Sequence, residues 1–171
     1  ARLKSEDDLG DMAAAIRLSV EASLRRLRTD YVDILQIHHQ VGRARGRYLA
    51  VVDPPIEAIR LSTADGLAFA EACRSLVDEG KGRFLGITAW DGDRDAVGTL
   101  LASGAFDTAQ ILYNMLNQSA AAPAPDGFDD VDQGEALPVA SANDIGVIGI
   151  RSHAAGALVD RLDRPVKPES E

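Results

Sequence analysis

The sequence is poor in cysteine. Cys73 is the only one in 171 residues, so an intramolecular disulfide is excluded and a reducing, cytoplasmic setting is expected. Cys73 lies among apolar residues at helical spacing and reads as core. An excess of positive charge is also missing: 18 Lys and Arg stand against 27 Asp and Glu, a net charge of −9. A protein that neutralises phosphates needs a basic face, so neither nucleic acid nor an anionic membrane surface is expected as a partner. No apolar run nears the roughly 18 residues that span a bilayer. The polar opening ARLKSEDDLG does not read as a signal peptide. Also absent are paired-cysteine metal spacing, G-x-G-x-x-G, the P-loop and G-x-S-x-G. No short fixed period marks a solenoid.

What remains is a composition that is 46% hydrophobic and 26% charged, ordinary for a globular domain long enough to bury a core. Ser5-Glu6-Asp7-Asp8 fits a capping box, and Ile16, Val20, Leu24 and Leu27 follow at helical spacing. Arg25, Arg26 and Arg28 crowd the end of that helix, where cations suit the helix dipole. Residues 32–38 read as a strand. Residues 39–63, with Pro54-Pro55 in their middle, read as a long loop. A helix over 65–79 turns Leu67, Ala70, Cys73 and Val77 inward and stops at Gly80. A strand ends at Thr88, a helix follows over 93–102, and a third strand covers 108–113. A loop over 119–130, a helix over 131–143 and the strand IGVIGI complete the pattern. Helix and strand alternate, which predicts an α/β fold of about four consecutive parallel strands with crossover helices. The strands are continuous apolar runs, as expected when both faces are buried.

Residue 1 is Ala, the first methionine is Met12 inside a helical pattern, and the tail RPVKPESE has the composition of disorder. The expectation is a piece of a longer chain, with the folded unit over 1–160 and a flexible tail or truncated loop over 161–171.

Polar residues gather where the strands end. The first ends in His38-His39, the second in Thr88, the third carries Gln110 and then Asn114, and the fourth runs into Arg151, Ser152 and His153. In parallel α/β sheets and barrels this edge is where sites are built. Neighbouring residues on a strand point to opposite faces, so His38 and His39 cannot both ligate one metal, and no metal is expected. From the residues alone, each polar group has a bland reading beside the functional one. A strand-end histidine can be structural, Gln110 can satisfy buried backbone, and Arg151 can pair with a surface carboxylate. Arg43, Arg45 and Arg47 can grip an anion or simply belong to a solvated loop. Tyr31 and Asp33, at the strand start, read as structural.

The stretches SVEASLRRLRTDYVDILQIHH, LVDEGKGRFLGITAW, FDTAQILYNMLNQSA and GVIGIRSHAAGAL resemble the aldo-keto reductase family, in the family's order and over nearly the whole chain. The resemblance is strongest to its bacterial sugar-dehydrogenase-like members. It implies part of a (β/α)₈ barrel and hydride transfer between a nicotinamide cofactor and a carbonyl or alcohol. The cofactor is usually NADP, with NAD possible, and the substrates implied are an aldehyde, a ketone or a sugar. The family motif D-Y-x-D-x-x-x-x-H places its catalytic histidine on His38, where it orients and polarises the substrate carbonyl; His39 then faces away. The family's Ser-Asn pair at the nicotinamide carboxamide falls on Thr88-Ala89, of which only Thr88 keeps a side-chain hydrogen bond. Gln110 matches the family's glutamine at the same carboxamide. The aromatic that stacks on the nicotinamide falls on Ile150. Arg151, Ser152 and Gly156 match the loop along the pyrophosphate.

The family's catalytic Asp, Tyr and Lys belong before the helix that opens this chain, and its 2′-phosphate segment after residue 171. This chain alone is therefore expected to be inactive. The alternative is a non-catalytic nicotinamide-binding or protein-association module on the same fold. Four strands of eight leave open edges, so self-association of a half-barrel is a further expectation.

Overall fold

The computed structural model describes residues 3, 5–50, 54–89 and 92–158. The expected tail over 161–171 lies outside the described residues. Ser5 caps α1 (Glu6–Gly10): the Asp8 N–H donates to Ser5 Oγ at 3.2 Å, and the Ser5 N–H donates to Asp8 Oδ2 at 3.1 Å. The single helix expected here is two, because Asp11 leaves the helical conformation and caps α2 (Met12–Leu27), accepting from the Ala14 N–H at 3.1 Å. Ile16, Val20 and Leu24 are buried. Leu27 shares their face but ends the helix beyond the core and is 64% exposed.

Seven strands follow among the described residues: β1 (Val32–Ile37), β2 (Val41–Gly42), β3 (Gly46–Ala50), β4 (Ile56–Ser62), β5 (Gly82–Thr88), β6 (Thr108–Leu112) and β7 (Gly146–Ile150). Four of them form one parallel sheet in the order β1-β5-β6-β7. The crossover helices are α3 (Thr63–Asp78), α4 (Arg94–Leu101) and α5 (Ala136–Ala142). This is the expected α/β architecture, a partial barrel of parallel strands with helical crossovers. Cys73 is fully buried on α3, and burial pushes its thiol up to about 11. Leu67 is 40% exposed rather than inward, because the buried face of α3 runs through Gly66, Phe69, Ala70, Cys73 and Leu76 and Leu67 is rotated about 100° from its start. No helix among the described residues is long and apolar enough to cross a membrane.

Two expectations are corrected. Residues 39–63 are not an irregular loop. They carry β2, β3 and β4, in which β3 and β4 pair as an antiparallel hairpin and β2 runs parallel to β4. Ile59 and Leu61 supply the apolar face that buries this small sheet, and the Pro54-Pro55 pair precedes β4 instead of interrupting it. The four-stranded sheet, in turn, is not buried on both faces. Leu35, Ile37, Leu85, Ile87, Ala109 and Ile111 are buried on the helix side, whereas Phe84 and Ile148 on the other face remain 45% and 39% exposed.

The three loop arginines are ion-paired. Arg43 meets Asp93 and Asp95, Arg45 meets Asp65, and Arg47 meets Glu57. Asp65 does the most. Its carboxylate accepts from the Ser62 N–H at 3.0 Å and the Ser62 hydroxyl at 2.7 Å, which completes the capping box of α3, and from Arg45 Nε at 3.1 Å. Arg45 joins β2 to β3, so this one carboxylate ties the hairpin's base to the start of α3. The Arg45 guanidinium, followed by the Ser62 donors, holds the Asp65 carboxyl down to about 2, against an ordinary 3.8.

A group with its pKa lowered in the folded state stabilises above its unfolded value and loses that contribution as pH falls through the folded value. Asp65→Asn is therefore expected to cost about 2 kcal/mol near neutral pH, with the gap to the unsubstituted protein closing as pH falls from about 4 to about 2. Urea unfolding across that pH range checks this; a gap independent of pH would contradict it.

Candidate functional site

Strand alternation decides which side chains share a face. On β1, Leu35 and Ile37 point into the helix-side core together with His39, the second residue beyond the strand. Ile34, Gln36 and His38 therefore line the opposite face, and His38 is exposed. The register of the sheet extends this face. Gln36 pairs with Gly86, Thr88 with Gln110, Gln110 with Ile148, and Leu112 with Ile150. In-register residues of parallel neighbours project to the same side. His38, Thr88, Gln110 and Ile150 are thus brought to one face at the C-terminal edge, across four strands whose outer members lie roughly 14 Å apart.

The two histidines part company as alternation requires. His39 Nε2 accepts from the Leu3 N–H at 2.7 Å, and its Nδ1 faces the Ile59 carbonyl at 3.2 Å. One nitrogen accepts and the other donates, so the ring is the Nδ1–H tautomer. It packs edge-on to Phe69, with ring centroids 5.9 Å apart. His39 is a satisfied core histidine.

Thr88 is only 5% exposed, and its Oγ1 accepts from Gln36 Nε2 at 2.7 Å. Gln36 is not among the residues the sequence analysis marks as candidates. The available signal was its parity: a polar residue inside an apolar strand, two positions before His38. The backbone carbonyl of Gln110 accepts from the Ala89 N–H at 2.9 Å, leaving the Gln110 side chain to face the open side. Asn114, named only as a polar residue after the third strand, connects two loops. Its Oδ1 accepts from the N–H groups of Leu116 and Asn117, both at 2.9 Å, while its Nδ2 donates to the Arg151 carbonyl at 3.1 Å. Arg151 there adopts a left-handed backbone with φ 54°, which turns the chain out of β7. Ser152 follows in that turn, and Gly156, with φ 99°, ends the short 3₁₀ turn Ala154–Gly156. Arg151, Ser152 and Gly156 thus lie beyond the sheet edge, in the segment that follows Ile150.

Gly86 makes the floor of the site. A Cβ there would meet Thr108 Oγ1 at 2.7 Å and Ile34 Cγ2 at 2.9 Å, so side chains from both neighbouring strands lean over it. Gly86→Ala is expected to cost about 1–3 kcal/mol by overpacking and to displace the layer that carries Thr88. Thermal unfolding measures the loss, and unchanged stability would mean the strands yield there.

Among the described residues no group of three or more His, Cys, Asp or Glu side chains is placed to hold a metal ion. The site's donors are neutral amides, a hydroxyl and an imidazole. That set suits a polar organic group with both hydrogen-bond donors and acceptors. Ile150, half-buried beside them, offers an apolar surface of the kind a planar ring packs against. The residues present therefore fit a nicotinamide ring and its carboxamide.

Norsolorinic acid reductase A of Aspergillus parasiticus is 37% identical over 62 residues, covering 27% of this chain and 16% of that protein. The crystal structure of an aldo-keto reductase of the silkworm Bombyx mori superposes with a TM-score of 0.55 at 19% sequence identity, covering 91% of this chain and 39% of that one. The chain thus spans well under half the length of either. The sequence pattern of the Aldo/keto reductase family matches residues 5–171, and the parallel strands with their helical crossovers agree with it: this chain belongs to the aldo/keto reductase family.

Proposed function

We propose that the protein transfers hydride between a nicotinamide dinucleotide and a small carbonyl compound or alcohol, and that residues 1–160 supply the part of a (β/α)₈ barrel that positions both. One observation carries this reading. Thr88 and Gln110 stand opposite each other in register, on the face that also presents His38. Two neutral hydrogen-bonding side chains on adjacent strands match the two ends of a carboxamide. The cofactor, when bound, supplies the hydride at its nicotinamide ring. Thr88 and Gln110 fix that ring's carboxamide, and Ile150 packs against its face. Arg151, Ser152 and Gly156 follow the pyrophosphate, to which the Arg151 guanidinium brings positive charge. NADP is the proposed dinucleotide, with NAD the alternative. The proposed substrate is an aldehyde, a ketone or a sugar, held by the imidazole of His38 at its carbonyl oxygen. A cytoplasmic location accords with the single cysteine, and a partner set without nucleic acid or membrane accords with the net charge of −9.

The acid that protonates the developing alkoxide is proposed to stand on strands outside residues 1–171, as part of the Asp, Tyr and Lys set the family resemblance implies. A barrel of this type has eight strands, and the parallel sheet here has four. Exposed Phe84 and Ile148 on the open face favour its coverage by further strands. They also leave room for the second reading, a nicotinamide-binding or association module without turnover, in which a second copy covers that face.

In the full-length protein, His38→Ala is expected to lower kcat/KM for carbonyl reduction by about 100-fold or more while changing cofactor affinity less than about threefold. Equal losses in both would reject its assignment to the substrate. Gln110→Ala is expected to raise the cofactor dissociation constant by about tenfold, the worth of a good hydrogen bond; an unaltered constant rejects the carboxamide role. Tight cofactor binding with no turnover of aldehydes, ketones or sugars would favour the second reading.

A further inference from the structure

Gln36 reaches across from β1 to β5, and its Nε2 donates to Thr88 Oγ1 at 2.7 Å. The nitrogen of a primary amide carries hydrogens and has no capacity to accept. Thr88 oxygen therefore receives this bond, and the hydroxyl's own hydrogen must point elsewhere. Thr88 is 5% exposed, and that hydrogen has no acceptor among the described residues. A buried hydroxyl hydrogen without an acceptor is costly. The ligand atom that completes Thr88 must then be an acceptor.

We propose that Gln36 is a positioning residue: by occupying the acceptor side of Thr88 Oγ1, it fixes Thr88 as a donor, so that the site takes a carbonyl oxygen at Thr88. The inference rests on the nicotinamide reading, in which that oxygen belongs to the carboxamide and the carboxamide NH₂ falls to Gln110 on the next strand. Gln36 touches no ligand in this scheme. It determines which end of the carboxamide Thr88 receives.

The test is a set of dissociation constants, measured calorimetrically on the full-length protein, for NADPH and for its analogue with an acetyl group in place of the carboxamide. That analogue keeps the carbonyl and lacks the N–H donors. Thr88→Val is expected to raise both constants by about tenfold, and Gln36→Leu by about fivefold, the range of single hydrogen bonds. In the Thr88→Val background, Gln36→Leu should add less than about twofold, because its effect passes through the hydroxyl. Gln36→Glu, of nearly identical shape but only accepting when ionised, should weaken binding more than Gln36→Leu by drawing the Thr88 hydrogen to itself. Thr88→Ser should bind close to the unsubstituted protein. Losses that simply add in the double variant, a Gln36→Glu variant that binds normally, or an acetyl analogue insensitive to Thr88→Val would each overturn the proposal. If the unsubstituted protein binds neither dinucleotide, the nicotinamide reading fails and takes this inference with it. If it binds both and Gln36→Leu changes nothing, only the inference fails.

Discussion

The one-sided burial of the four-stranded sheet governs everything else. Leu35, Ile37, Leu85, Ile87, Ala109 and Ile111 are removed from water by the crossover helices, and strand alternation leaves their neighbours no choice but the other face. Gln36, His38, Thr88 and Gln110 are those neighbours. These dispersed residues, 72 positions apart between His38 and Gln110, are thereby brought to one face by apolar burial rather than by attraction among the polar groups themselves. A slip of one residue on β1 would carry Gln36 and His38 into the core and bring Ile37 out.

Much of this was legible in the sequence. The alternation of apolar runs with helical patterns is enough to predict parallel strands joined by helices, and a two-residue period is enough to separate His38 from His39. Other parts depend on facts that residue patterns do not encode. The pairing of β3 with β4 was hidden because a proline pair at 54–55 resembles a break, although prolines at the entry to a strand remove no ladder bond. Leu27 reads as inward because helical spacing identifies a stripe without saying where the core ends, and Leu67 because the stripe through it lies one position off the face that is buried. Gln36 escaped notice because its significance lies in a partner 52 residues away, and sequence spacing carries no information about that distance.

The polar network outside the site has a separate task. Asn114 links the loop after β6 to the turn after β7, and Asn117 with Ser119 fastens the rest of that loop to the segment near Val131. On the helix side, Glu79 meets Arg17 and Lys81, and Lys81 also meets Glu21, so that the end of α3 is fastened to α2. These contacts hold the elements that frame the sheet; one of them, from Asn114 to the Arg151 carbonyl, reaches the segment beyond Ile150, and none involves His38, Thr88, Gln110 or Ile150.

The hairpin of β3 and β4 is secured at its base. The pairing of β2 with β4, the Arg45–Asp65 contact and the buried Ile59 and Leu61 all lie near the end where β4 enters α3. Its far end carries Leu49 and Ile56, which are 70% and 46% exposed. Among the described residues of that far end, Leu49 and Ile56 take no part in the buried core. A change of length there would reshape an exposed tip and leave the buried face that anchors the hairpin in place, which makes the hairpin open to evolutionary variation in length.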